Sequence, residues 1–294
     1  MRPPYIMAGK VVDSAISFVY NSVKVEIAPH LTSSLSHDAV VKFPPFVSWV
    51  SRLQSSLQSS PVRGGYGSTD PPSYYELKKI NITSADFFGS KKDKLGFLKL
   101  DALVENDKGN RLPGIVFLRG QSVSILVLLY PSEQPDTDNL EDLDDSQAQV
   151  VLVVQPRVPG ATMAMVEIPA GMYDANDASS SEGGTLKYTA QRELKEECGI
   201  EITPKELRPL YTTNGGIYMS AGACDEQMQF FVCKKVLSVE EIQMLEGKFG
   251  GAEEETGERI TVRILPFSEL LTATQDSKTL CALALYAGAK RHNK

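Results

Sequence analysis

Residues 186–200 carry the pattern that most restricts the fold: Leu186, Ala190, Leu194 and Cys198 recur every four positions, and Gly199 follows them. Apolar residues at that interval line one side of a helix, and glycine is the residue type that ends helices in the left-handed conformation, so a helix is expected over 186–198. The same stretch holds three acids, Glu193, Glu196 and Glu197. At about 100° per residue, Glu197 projects between Leu186 and Ala190, and Glu193 only about 20° outside Leu186, so both acids lean toward the packed side. Lys195 projects nearly opposite them and Arg192 well away, which leaves no evident neutraliser on the same helix. Carboxylates on one helical turn, facing a core, repel one another and lose hydration unless an external group pairs with them. Hard divalent cations, which favour carboxylate oxygens, suit such a cluster.

The rest of the chain reads as strands interleaved with helices. Residues 95–106, 113–120, 122–130, 150–155, 228–233 and 259–265 are apolar and rich in β-branched or aromatic side chains, as strands are. Val47, Val50, Leu53 and Leu57 have helical spacing within 46–57, and Leu280, Leu283, Leu285 and Ala289 suggest a mostly buried closing helix, with Lys290 and Arg291 near its end. Residues 58–73 are dense in Ser, Gly and Pro and read as a linker, whereas residues 1–45 show weak periodicity and no motif. The acidic stretch 131–149 is expected to be a solvated loop between two strands. A mixed strand and helix order of this kind implies an α/β sandwich.

Composition removes several function classes. A net charge of −7 argues against broad binding to a phosphate backbone, so nucleic acid is not the expected partner. No apolar run reaches the roughly eighteen residues of a membrane span. The four cysteines lack CxxC spacing, which suggests neither a zinc site nor a disulfide framework and fits a reducing, cytoplasmic setting. The N-terminus lacks the apolar core of a secretory signal, and an organellar transit peptide stays open. The three histidines, His30, His37 and His292, are far in sequence from the acidic helix, which disfavours a Ser/His/Asp or Cys/His triad and leaves acid and base work to carboxylates.

RELKEECGI, residues 192–200, resembles the REUxEExGU core of the Nudix box, U being apolar, and EIPAGMYD, residues 167–174, resembles the strand end and glycine loop that open it. Gly171 and Arg192 are twenty-one positions apart, seven more than in the usual box. Gly184 stands where the box has its first glutamate, with Glu182 the nearest acid. VQPRVP (154–159) is similar to the EQxRxP segment of ADP-sugar pyrophosphatases, and SAGACDEQ (220–227) to their SPGGxxE loop, with Ala221 in place of the proline. Together these features look like plant-type ADP-glucose pyrophosphatases over about residues 80–289.

The resemblance implies a Nudix α/β/α sandwich with a mixed sheet over 113–290, a smaller N-terminal β region over 74–112, an N-terminal extension over 1–73 and a tail over 291–294. It implies Glu193 and Glu197 as ligands of two or more Mg²⁺ or Mn²⁺ ions, Glu196 as a ligand directly or through water, and the Ala170 carbonyl as a further ligand. Gly171, a tight turn, exposes that carbonyl, and Arg192 orients the box carboxylates. A loop glutamate, Glu255 before Glu258, is expected as general base, and Arg157, Gly171, Gly222 and Glu226 as substrate contacts. The implied reaction is hydrolysis of ADP-glucose or ADP-ribose to AMP and sugar phosphate by a homodimer. Another nucleoside diphosphate derivative, such as a UDP-sugar or a dinucleotide, and a non-catalytic ADP-ribose sensor are the alternatives.

Overall fold

In the computed structural model Asn21 and Ser22 both have positive φ, 46° and 66°, the geometry of a two-residue hairpin turn whose twist matches that of its strands. They join β1 (Ile16–Tyr20) to β2 (Val23–Ile27), so strands occupy a region whose sequence shows little periodicity. The structure describes residues 15–62, 71–89, 93–132, 140, 143–173, 186–211, 215–251 and 259–292. It divides into two compact units, Met1–Arg119 with Gly222–Asp225, and Gly120–Ala221 with Glu226–Lys294.

In the first unit, helices α1 (His37–Lys42) and α2 (Pro44–Ser59) connect β2 to its parallel neighbour β3 (Tyr75–Phe88). Ser36 caps α1 by accepting from the Ala39 amide, and Pro44 starts α2, where a missing N–H costs nothing. Antiparallel β4 (Lys94–Asn106) follows, with β5 (Arg111–Leu112) and β6 (Ile115–Leu118) both paired to it. Buried Leu98, Leu100, Ala102 and Val104 alternate along β4 and share a core with Phe46 and Val50 of α2. Segment 222–225 is fastened to β6: the Phe117 amide donates to the Ala223 carbonyl (2.7 Å), and the Arg119 amide to Asp225 Oδ1 (2.7 Å).

The second unit is built on β7 (Gln121–Pro131), whose interior is buried on both faces. Val123, Ile125, Val127 and Leu129 join the core beneath α3 (Leu186–Cys198), while Leu126, Leu128 and Tyr130 join the opposite core, beneath α6 (Ser277–His292). This two-period alternation makes the sheet the middle layer of an α/β/α sandwich. The sheet also contains β8 (Gln149–Arg157), β9 (Thr162–Glu167), β10 (Ala170–Met172), β11 (Arg208–Pro209), β12 (Ile217–Tyr218), β13 (Gln227–Leu237), β14 (Phe249–Gly250) and β15 (Ile260–Pro266). Its main path runs β11–β13–β7–β8–β15–β14, with β13 parallel to β7. Short helices α4 (Val239–Leu245), begun by a Ser238/Glu241 capping box, and α5 (Leu270–Ala273) complete the unit.

Two expectations change here. The inward face of α6 is formed by Thr279, Ala282 and Tyr286, with Leu283 and Leu285 partly buried, whereas Leu280 is exposed. In the acidic stretch, Asp145 is anchored rather than simply solvated. It accepts from Tyr130 Oη (2.7 Å) and Tyr286 Oη (3.0 Å) and pairs with Lys290 (3.1 Å). Among the described residues no helix is long and apolar enough to cross a membrane.

Candidate metal and diphosphate site

α3 ends where the sequence places its stop. Gly199 has φ +65°, its amide donates to the Lys195 carbonyl (2.9 Å), and the chain turns back to bury Ile200 in the core. Of the three acids on the helix, Glu197 is buried, the Glu193 side chain is 13% exposed and that of Glu196 54% exposed. Position on the helix thus separates two sheltered carboxylates from one in solvent.

Both sheltered carboxylates meet β10, which pairs with β7 through Ala170↔Ser124 and Gly171↔Val123. The Ala170 amide donates to Glu197 Oε2 (3.1 Å). Glu193 lies against Gly171 so closely that a Cβ there would come within 1.9 Å of its Cδ. Glycine is needed at 171 for that close approach. From the other side, the Gly251 amide donates to the Glu196 carbonyl (3.1 Å), and a Cβ on Gly250 would lie 1.8 Å from the Glu197 carbonyl oxygen. The end of α3 is therefore gripped between β10 and the 250–251 turn. Beside Glu197, burial first and that carboxylate second push the Cys198 thiol pKa well up, which makes it a packing group and not a nucleophile.

Arg192 corrects the helical projection. Its guanidinium spans Glu193 Oε1 (Nη2, 2.9 Å) and Glu196 Oε2 (Nη1, 2.9 Å), so the helix supplies its own neutraliser for two of the three acids. The direction of a Cβ does not limit a side chain as long and flexible as arginine. With these pairs formed, no three acidic, histidine or cysteine side chains among the described residues converge as a metal cage. The side chains present nonetheless suit a hard cation: Glu193 and Glu197 are sheltered carboxylates lying against 170–171, and Glu196 adjoins them on the helix.

Residues 140–283, which contain this helix and its glycine strand, match the NUDIX domain. These residues form a NUDIX domain. It is 35% identical over 221 residues to Nudix hydrolase 14, chloroplastic, of Arabidopsis thaliana, covering 73% of this chain and 64% of that relative. The chain thus spans just under two thirds of that relative's length. Among solved structures it is similar to an ADP compounds hydrolase (TM-score 0.42, 17% identity, 74% of this chain and 97% of that one) and to the C. elegans Ap4A hydrolase (TM-score 0.33, 10% identity, 57% and 96%).

The other expected residues lie on several elements. Arg157, at the end of β8, forms a two-pronged pair with Glu167, Nε to Oε1 at 2.6 Å and Nη2 to Oε2 at 3.1 Å. Its side chain remains 42% exposed while that of Glu167 is 1% exposed, so the arginine is held at its root and open at its surface. Buried Glu226 accepts from Ser122 Oγ (2.8 Å), and Ser122 is the register partner of Met172 in β10. Gly222 lies in an exposed turn of the first unit, with open space where a Cβ would be. Glu255 and Glu258, like Glu182 and Gly184, fall outside the described residues.

Ser122, Glu167, Lys278 and Thr279 bear on the site without a signal in local sequence. Lys278 joins Glu167 and Asp276, and Thr279 Oγ1 accepts from the Ile168 amide (3.0 Å). Glu167 is legible only as the first residue of EIPAG, and one of its two partners, Lys278, lies 111 residues away.

Proposed function

We propose that this chain is a divalent-metal-dependent hydrolase that cleaves the diphosphate of an ADP-sugar, ADP-glucose or ADP-ribose, to AMP and sugar phosphate. The observation that carries the reading is the carboxylate cradle at the end of α3, where Glu197 accepts from the Ala170 amide and Glu193 rests on Gly171. Glu193, Glu197 and the Ala170 carbonyl would hold Mg²⁺ or Mn²⁺, two or more ions in all, with Glu196 a ligand directly or through water. Bound there, such ions neutralise the diphosphate and make water a stronger nucleophile. Arg192, already spanning Glu193 and Glu196, keeps both carboxylates in place.

Glu255, with Glu258 as the second candidate, is the proposed general base. Support comes from Gly251, four positions before Glu255, whose amide is bonded to the Glu196 carbonyl. Arg157 and Glu226 are proposed to contact substrate, Arg157 steadied by Glu167 and Glu226 by Ser122. Gly171 is proposed to meet substrate through its backbone, the space a Cβ would take being held by Glu193. The working unit is a homodimer, and light scattering that finds only monomer would contradict it. The chloroplastic relative favours an organellar over a cytoplasmic setting, which a fluorescent fusion distinguishes.

The pairing of Arg192 with two of the acids also supports a second reading, a nucleotide-sensing module without turnover. A panel of ADP-glucose, ADP-ribose, UDP-glucose and a dinucleotide, with Mg²⁺ or Mn²⁺, separates the readings. Release of AMP from the ADP-sugars above all others supports the hydrolase. Calorimetric binding of ADP-ribose with no AMP released selects the sensor.

A further inference from the structure

The five residues leading into the cradle are each gripped at a named atom. The Val166 carbonyl accepts from Thr274 Oγ1 (2.6 Å), the Glu167 carboxylate pairs with Arg157 and Lys278, and the Ile168 amide donates to Thr279 Oγ1 (3.0 Å). The Pro169 carbonyl accepts from the Ile125 amide (2.9 Å), and the Ala170 amide donates to Glu197 (3.1 Å). Three of these five grips come from one short stretch, 274–279, at the start of α6. That stretch is itself locked: Asp276 Oδ2 accepts from the Thr279 amide (2.9 Å) and from Thr279 Oγ1 (2.7 Å), Asp276 Oδ1 pairs with Lys278 (3.0 Å), and the Asp276 amide donates to Thr274 Oγ1 (3.0 Å).

The burial of these groups is unusual for their chemistry. Glu167 and Thr279 are 1% and 0% exposed, and the Lys278 side chain is 11% exposed. A buried carboxylate is retained only when paired, and Glu167 has two cations from two elements, β8 and α6. Thr279 donates its hydroxyl proton to Asp276 and accepts from Ile168, so neither side of that hydroxyl is spare. Such a set fixes 166–168 in position and direction, and Pro169 and Ala170 follow with little freedom.

We infer that the start of α6, through Lys278 and Thr279, is a positioning element for the metal site: it sets where the Ala170 backbone meets Glu197, from the opposite layer of the sandwich. The inference rests on the metal-site reading of Glu193, Glu197 and Ala170. Lys278 acts on Glu167 and Thr279 on Ile168, three and two positions before Ala170 in the chain. Groups bonded directly to a ligand alter metal affinity about 10- to 100-fold when removed, and Lys278 and Thr279 stand one link further back, which sets the lower end of that range as the expectation.

The test is Mn²⁺ titration by calorimetry on the full chain, with AMP release measured alongside, for wild type, Glu197→Gln, Lys278→Met, Lys278→Arg, Thr279→Val and Thr279→Ser. Lys278→Met and Thr279→Val are expected to raise the Mn²⁺ Kd about 10-fold and to lower kcat more than they raise KM. Lys278→Arg and Thr279→Ser, which keep the charge and the hydroxyl, are expected to stay near wild type. Thr279→Val changes shape least and keeps the test valid if Lys278→Met does not fold. Wild-type Mn²⁺ affinity in both Lys278→Met and Thr279→Val, with affinity lost in Glu197→Gln, overturns the positioning role alone. Equal Mn²⁺ affinity in wild type and Glu197→Gln overturns the metal-site reading and the positioning role with it.

Discussion

Replacing Gly171 with alanine sets a methyl carbon 1.9 Å from Glu193 Cδ, 2.0 Å from Oε1 and 2.4 Å from Cγ. Non-bonded carbons settle at about 3.5–4.0 Å, so the Glu193 carboxylate must retreat by about 1.5 Å or more. The atoms that clash belong to the far end of a flexible side chain, so the fold has an inexpensive way to yield. Alanine also lowers the entropy of the unfolded chain, worth about 0.4–1 kcal/mol in favour of folding. The net change in stability is therefore expected within about 1 kcal/mol, a shift in Tm of no more than about 4 °C for a unit of this size. Metal ligation tolerates far less, since ligand distances are set to about 0.2 Å. If Glu193 holds the cation, Gly171→Ala should lower kcat/KM about 100- to 1,000-fold, or about 2.7–4 kcal/mol of transition-state stabilisation. Steady-state AMP release and a thermal melt on one preparation read both quantities. Gly171→Ala within threefold of wild-type activity would refute the assignment of Glu193 to the cradle.

Gly250→Ala should behave in the opposite way, because its Cβ meets the Glu197 backbone, 1.8 Å from the carbonyl oxygen and 2.5 Å from the carbon, and backbone cannot swing aside. A loss of about 1–3 kcal/mol is expected, seen as a lower urea midpoint, and an unchanged midpoint would show that α3 and the 250–251 turn are not packed as described. Asp145→Asn should cost about 1–3 kcal/mol at neutral pH by weakening bonds from Tyr130, Tyr286 and Lys290 to a charged acceptor. Burial alone would raise the Asp145 pKa, but the Tyr130, Lys290 and Tyr286 hydrogen bonds outweigh it and hold the group below the usual carboxylate range. A depressed folded-state pKa contributes stability that is complete above the unfolded value, about 3.9, and lost as pH falls through the folded value. The stability gap between wild type and Asp145→Asn should therefore close below about pH 4, and a gap constant from pH 7 to pH 3 would contradict this origin.

Periodic elements were legible because one face of each is buried and few alternatives satisfy the same pattern. Leu186, Ala190, Leu194 and Cys198 announce α3 and its packed side, and the apolar run of β7 announces a strand covered on both faces. The short strands β1 and β2 gave no comparable signal, since a five-residue hairpin arm holds too few alternations to stand out. At the site, the sheltered direction of Glu193 and Glu197 is legible in their spacing, whereas the bond from the Ala170 amide to Glu197 has no counterpart in the sequence pattern. The pairing of Arg192 with the box carboxylates agrees with the resemblance and not with angular projection, which describes Cβ directions and ignores the reach of a guanidinium. The partners of Asp145 and Glu167 were invisible for another reason: Tyr286 and Lys278 lie 141 and 111 residues away, brought in by the return of α6 across the sheet.

The central claim is that the carboxylates at the end of α3 hold the cation that drives diphosphate hydrolysis. Its most direct test is AMP release from ADP-glucose and ADP-ribose at matched concentrations, in Mg²⁺, Mn²⁺ or chelator, by wild type and by Glu197→Gln. The account predicts release that needs the metal and falls by orders of magnitude in Glu197→Gln with an unchanged melt, the ratio of the two kcat/KM values choosing the sugar. Release that persists in chelator, or at the wild-type rate in Glu197→Gln, would contradict it.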